Sequence, residues 1–174
     1  MTTILTSRPD VARSLEADAE ELRRALGELV RVIQFRDRDR ACCYGVSVSQ
    51  CYALKAVADG GPLTVNELAA HLYLDKSTAS RVARGLVRHG LLQRRRDPSD
   101  ARSVKLTLTP RGRALHERIL NDLDLEYASL LRGFDPEVRS AVTELTARVT
   151  RALAARVEAS GGSCCAIESA EPVT

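Results

Sequence analysis

Asp97-Pro98-Ser99-Asp100-Ala101-Arg102 stands between Leu91-Leu92-Gln93-Arg94-Arg95-Arg96 and Ser103-Val104-Lys105-Leu106-Thr107-Leu108-Thr109. The second flank alternates, with Val104, Leu106 and Leu108 set against Lys105, Thr107 and Thr109. That is the period-two pattern of a strand with one covered face. Between the flanks lies a loop rich in Asp, Pro and Ser, the residue types that favour a turn. The spacing therefore predicts a β-hairpin with a projecting loop.

Upstream, Pro62-Leu63-Thr64 precedes Val65-Asn66-Glu67-Leu68-Ala69-Ala70-His71-Leu72. Thr64 followed three residues later by Glu67 is the signature of a capping box, so a helix is predicted over 65–72. Tyr73-Leu74-Asp75 makes a turn, and Asp75 is the expected N-cap of a second helix over 76–89 that Gly90 ends. In that second helix Ala79, Val82, Ala83, Leu86 and Val87 recur at three- and four-residue spacing and turn one face inward. The opposite face carries Lys76, Ser77, Thr78, Ser80, Arg81 and Arg84. Two short helices, a turn and a basic hairpin make a winged helix-turn-helix.

Charge says what such a head binds. Residues 76–105 hold nine Lys or Arg against two Asp, an excess of seven positive charges, whereas the whole chain carries only +3. Everything else is therefore net negative, and segregation of this kind is an electrostatic footprint for phosphates, although a solvated basic hairpin would share it. Small hydroxyls at Ser77, Thr78 and Ser80 allow close approach to a groove floor, and Arg81 and Arg84 one turn later reach base edges or phosphates. Arg94 lies on the hairpin. Arg102 near the loop tip suits a minor groove, with Asp100 orienting it through a fork-like hydrogen-bonded pair. Aromatic content of 3% without Trp argues against stacking platforms for single strands, and the winged helix-turn-helix pattern makes duplex DNA the expected partner.

Taken together, Thr64-Val65-Asn66-Glu67-Leu68-Ala69, Asp75-Lys76-Ser77-Thr78-Ala79-Ser80-Arg81, Gly90-Leu91-Leu92-Gln93-Arg94, and the loop running on into Leu106-Thr107-Leu108-Thr109-Pro110-Arg111-Gly112 resemble the MarR (multiple antibiotic resistance regulator) family of transcription factors. The resemblance covers residues 45–115 in motif detail and the flanking helices in arrangement. It implies a homodimer on a pseudo-palindromic operator, usually a repressor, that releases DNA when a small effector binds or a cysteine reacts. Ala101 departs from the pattern, since the family's wing commonly has a second basic residue there.

The rest of the chain fits a regulator of one domain's length. Val11, Leu15, Leu22, Leu26, Leu29 and Ile33 predict an amphipathic helix over 9–37. Leu115, Ile119, Leu123, Tyr127 and Leu130 predict another opened by Pro110, and Val138, Val142, Leu145, Val149, Leu153 and Val157 a third after Pro136. Three apolar stripes exceed what one protomer covers, so an interlocked homodimer is expected in preference to a closed monomeric bundle. The expected fold is mainly α, an α+β winged helix-turn-helix head with long dimerisation helices. Its parts are a dimerisation helix over 1–40, the DNA-binding region over 41–112, dimerisation helices over 113–159 and a cysteine-containing tail over 160–174. No stretch is apolar enough for a bilayer and the first residues lack the pattern of a signal peptide, so a cytoplasmic protein without membrane contact is expected.

Five cysteines carry the remaining chemistry: Cys42 and Cys43 just after the charged end of the first helix, Cys51 on the next helix, which Ser47 or Ser49 would cap, and Cys164 and Cys165 behind Gly161-Gly162-Ser163. In a cytosolic setting such thiols sense or bind metal more often than they staple a fold. All five are candidate ligands for a soft metal or metalloid effector, arsenite, mercury (Hg), cadmium (Cd) or lead (Pb), with no cofactor otherwise required. The alternatives are a redox or electrophile sensor using the same cysteines, a phenolic ligand with incidental cysteines, and Cys51 as an inert buried thiol. An enzyme, such as a thiol oxidoreductase, is disfavoured because no Cys-x-x-Cys, phosphate-binding glycine loop or paired catalytic carboxylates accompany the thiols. His71, His89 and His116 are read as solvated helix residues without a role.

Overall fold

The computed structural model describes residues 14–100 and 102–159, and of residues 41–43 the backbone only. The chain divides into two compact units, Met1–Val48 and Ser49–Thr174. Its elements are α1 (Leu15–Cys43), α2 (Val48–Gly60), α3 (Val65–His71), α4 (Lys76–Arg88), β1 (Leu92–Arg96), β2 (Val104–Leu108), α5 (Pro110–Leu131) and α6 (Pro136–Ala159). The architecture is mainly helical with one antiparallel hairpin, as expected from the sequence.

In the first unit α1 runs six residues past the end that its apolar stripe suggested, and Val11 lies outside the described residues. The charged run over 36–40 continues the helix because arginine is a good helix former, and Arg38 Nε donates to the Gln34 carbonyl at 3.3 Å. Surface ion pairs Arg24–Glu20 at 3.0 Å and Arg31–Glu28 at 2.5 Å decorate the middle turns. Cys42 and Cys43 thus fall within the last turn of α1 by their backbone and do not follow the helix. Gly45, at φ 67°, takes the left-handed conformation that lets the chain turn away.

In the second unit the core is aliphatic. Leu54, Leu68, Leu86, Leu92 and Leu106, one or more from each of α2, α3, α4, β1 and β2, are fully buried. Each contributes about 1.5–3 kcal/mol of apolar burial. Of the predicted inward face of α4, Ala79, Ala83 and Leu86 are buried, while Val82 and Val87 are half-buried. The hairpin pairs Leu92 with Leu108, Arg94 with Leu106, and Arg96 with Val104. Against their sequence patterns β1 is one residue shorter, at its start, and β2 two residues shorter, one at each end. Leu63 pairs with the other edge of β2, donating to the Leu106 carbonyl at 3.1 Å and accepting from its N–H at 2.6 Å, so β2 is flanked on both sides.

The wing's base and the start of α5 share one knot. Thr109, the α5 N-cap, accepts from the Gly112 N–H at 3.0 Å and donates its hydroxyl to the Gly90 carbonyl at 2.7 Å, while its own N–H donates to the Leu91 carbonyl at 3.1 Å. Gly112 lies so close to the Leu91 main chain that a Cβ there would overlap the Leu91 carbonyl oxygen. His116, one turn further on, is buried, which corrects its reading as a surface residue. Its Nε2 has no hydrogen-bond partner, and burial pushes the imidazole below its ordinary pKa, with Asp59 opposing and Lys55 reinforcing that shift. The remaining length of α5 and all of α6 stay open. Leu125 is 72% exposed and Leu145 58%, and no side chain of α6 is buried.

Candidate nucleic-acid interface

The reading head is held by its caps. At the start of α3 the Glu67 N–H donates to Thr64 Oγ1 at 3.2 Å, and the Thr64 N–H donates to Glu67 Oε2 at 2.7 Å, the reciprocal pair that the sequence spacing predicts. These bonds hold the Glu67 carboxyl below its ordinary pKa. The helix ends at His71 with Leu72 as C-cap, one residue earlier than its pattern. The turn is then closed by Leu74 N–H to the Ala69 carbonyl at 3.0 Å and Tyr73 N–H to the Ala70 carbonyl at 3.2 Å. Tyr73 sits at φ 51°, the left-handed position where glycine is usual and where a Cβ costs roughly 1–2 kcal/mol.

Asp75 caps α4 as predicted. Its Oδ1 accepts the Ser77 hydroxyl at 2.5 Å and the Thr78 N–H at 2.9 Å, and those bonds hold its carboxyl far below the usual carboxylate range. The Thr78 hydroxyl accepts from Arg81 at 3.0 Å. The hydroxyls of Ser77 and Thr78 therefore build the entry to the helix and aim Arg81, in addition to being small. Lys76, Arg81 and Arg84 are exposed on the outer face, while Thr78 and Ser80 are half-buried. On the inner face, a Cβ at Gly85 would come within 2.5 Å of Gln50 Nε2, so the glycine lets α4 press against α2.

The wing is organised by Asp97, a residue to which the sequence reading gave no role. One carboxylate oxygen accepts from the Ser99 N–H at 2.9 Å and from its hydroxyl at 2.7 Å, and the other pairs with Lys105 Nζ at 2.8 Å. The Lys105 ammonium, with help from Ser99, holds the Asp97 carboxyl far below its ordinary pKa, and Lys105 is raised in return. The signal was present as Asp-x-Ser, the pattern of an Asx-turn. Asp100 differs from its expectation. Its carboxylate accepts the Arg102 main-chain N–H at 2.9 Å, in place of a fork with the guanidinium. A carboxylate two residues ahead in a tight loop reaches the backbone first. Both acids of the wing are thus spent on the turn, and the exposed arginines of the hairpin are Arg94, Arg95, Arg96 and Arg102.

A recognition helix with an exposed basic face, a capped helix before it and a wing whose acids are tied into its own backbone make a winged helix-turn-helix head. Residues 44–103 match the model of the MarR family. Over that stretch the chain is similar to the MarR family. The chain is 27% identical over 128 residues to the HTH-type transcriptional regulator YsmB of Bacillus subtilis, an alignment that covers 74% of this chain and 81% of the relative. It is 32% identical over 76 residues to the organic hydroperoxide resistance transcriptional regulator of the same organism, covering 44% and 52%. The crystal structure of the MarR family transcription regulator SP03579 superposes with a TM-score of 0.71 at 27% identity, covering 84% of this chain and 99% of that one. By these likenesses the chain is a DNA-binding transcription regulator and not an enzyme.

Of the cysteine candidates, Cys51 stands half-buried on α2, whose first residue is Val48 and which therefore has Ser47 at its N-terminal boundary. The side chains of Cys42 and Cys43, and Cys164 and Cys165 altogether, lie outside the described residues. Among the described residues no three His, Cys, Asp or Glu side chains converge as metal ligands, and no helix is long and apolar enough to cross a membrane.

Proposed function

We propose that the chain acts in the cytoplasm as a homodimeric repressor that places α4 in the major groove and Arg102 in the flanking minor groove of each operator half-site. The observation that carries this reading is the division of labour among charges. The two acids within residues 76–105, Asp97 and Asp100, bond inside the wing, which leaves Arg81, Arg84, Arg94, Arg95, Arg96 and Arg102 exposed on the head. Dimerisation is supported by the apolar residues that α5 and α6 leave open, and a two-fold dimer presents two heads to half-sites one helical turn apart. The test is equilibrium binding of the full-length protein to a duplex taken from its own promoter region, against a shuffled duplex. Tighter binding of the promoter duplex, with two protomers per site, is expected; equal binding of both duplexes would remove operator recognition.

For the effector, the reading supported by the number and grouping of thiols is a soft metal or metalloid ion, arsenite, mercury, cadmium or lead, held by Cys51 with Cys42 or Cys43 and the Cys164-Cys165 tail. Truncation after Ser163 should leave DNA affinity in reducing, metal-free buffer unchanged and raise the ion concentration needed for release by about tenfold, the effect of losing about 1.4 kcal/mol of binding. A second reading, oxidation of a cysteine by a peroxide, is favoured by the likeness to a regulator named for organic hydroperoxide resistance. Release of DNA by peroxide but by no soft ion would select it.

A further inference from the structure

Tyr73 is the only non-glycine residue with positive φ among the described residues, and its side chain is 62% exposed. The two bonds that close the turn, Leu74 N–H to Ala69 and Tyr73 N–H to Ala70, use main-chain atoms alone. They would form as well or better around glycine. The ring therefore occupies a conformation that disfavours it, at a position whose turn does not need it, and contributes little burial in return. An outlier of this kind, kept beside a functional element, points to a use outside the fold.

Place in the head says which use. Tyr73 precedes the N-cap Asp75 by two residues and Lys76, the first residue of α4, by three. Three residues span at most about 11 Å of chain. The major groove that α4 is proposed to enter is about 12 Å wide and walled by phosphates, so a group this near the helix entry lies beside the groove wall and away from the base edges. A phenol there has one hydroxyl to donate, phosphate oxygens accept it, and tyrosine is among the side chains that make such positioning contacts. We propose that Tyr73 is a further DNA-contacting residue, donating its hydroxyl to a backbone phosphate at the mouth of the groove and so fixing the depth and register of α4. The proposal rests on the DNA-binding reading above and adds a neutral, sequence-independent contact to its row of arginines.

The test is fluorescence anisotropy of the full-length protein with a duplex of arbitrary sequence at low salt, alongside thermal melting, for wild type, Tyr73→Phe, Tyr73→Gly and Arg81→Ala. Both Tyr73 variants should bind about tenfold more weakly, since each protomer loses one hydrogen bond to a charged acceptor. Tyr73→Gly should melt at or above wild type because the left-handed strain is gone. Neither should change the salt slope, as a neutral phenol displaces no counterion, whereas Arg81→Ala should flatten it by about one per protomer, about two for the dimer. Wild-type affinity in Tyr73→Phe overturns the proposal, and weak binding confined to Tyr73→Gly would assign the residue to turn geometry. If the wild type itself fails to bind duplex DNA, the DNA-binding reading falls and this contact falls with it.

Discussion

Arg102 and Asp97 stand five residues apart in one loop and have opposite jobs. The guanidinium of Arg102 supports no packing, so Arg102→Ala should weaken DNA binding by about 1–3 kcal/mol while leaving the melting temperature unchanged. Anisotropy titration and a thermal melt of the same sample check both halves. Asp97 faces the other way, into Ser99 and Lys105. Asp97→Asn adds one net positive charge to the head, which by charge alone would tighten binding to phosphates. Because the loss of the Lys105 pair loosens the loop that presents Arg102, weaker binding is expected, and tighter binding would show that wing order matters less than wing charge. The carboxyls of Asp75 and Asp97 are depressed, so the stability they lend is present above the ordinary aspartate value of 3.8 and is lost as pH falls below it.

At the scale of elements, boundaries that rest on local chemistry were legible. Thr64 with Glu67 and Asp75 announce α3 and α4, because a cap is a bond between residues three apart and three residues of sequence contain it, and Pro110 announces α5, whereas Thr109, read as the end of a strand, proved to be its cap. What the sequence hid depends on distant partners. The end of α1 was misplaced because charged residues stop an apolar stripe without stopping a helix. His116 carries the same i, i+3 surroundings as a surface residue, and only tertiary packing beside α2 groups such as Asp59 and Lys55 buries it. Gly112 reads as an ordinary first-turn residue until Leu91, twenty-one positions earlier, is brought against it. Gly112→Ala should therefore destabilise the protein by about 1–3 kcal/mol through overpacking against a carbonyl that has little room to move, read by urea denaturation. A cost near zero would show that the knot yields.

His116 supplies a pH test of the same junction. Its folded pKa is depressed, so the folded state resists a proton that the unfolded chain accepts, and stability falls as pH drops through the ordinary value of 6.5 and below. His116→Gln should flatten the dependence of melting temperature on pH between about 7 and 5. An unchanged slope in that variant would place the dependence on another group.

At the scale of the whole molecule, the placement of charge pointed to a phosphate-bearing partner, since the excess of seven positive charges lies in residues 76–105 of a chain that totals +3, while the regulator reading came from the motifs. The open apolar residues of α5 and α6 complement that head, and exposure on the order of Leu125 and Leu145 is expected to disappear when two chains meet. Leu145→Glu and Leu125→Glu together should shift the protein toward monomer in analytical ultracentrifugation. The same change should lower operator affinity more than affinity for a duplex of arbitrary sequence, because operator recognition needs two heads held at fixed spacing. The cysteine chemistry is the part least legible at any scale, since convergence of thiolates is a property of three-dimensional approach that spacing does not encode.

The central claim is that the two heads of a dimer read duplex DNA through their arginines, and the salt dependence of binding tests it most directly. With roughly eight phosphates neutralised per dimer, log affinity against log salt should be linear with a slope near −7, a loss of about four decades between 50 and 200 mM. Arg81→Ala and Arg84→Ala should each reduce that slope. A flat response, or a steep one that none of the arginine substitutions alters, would contradict the account.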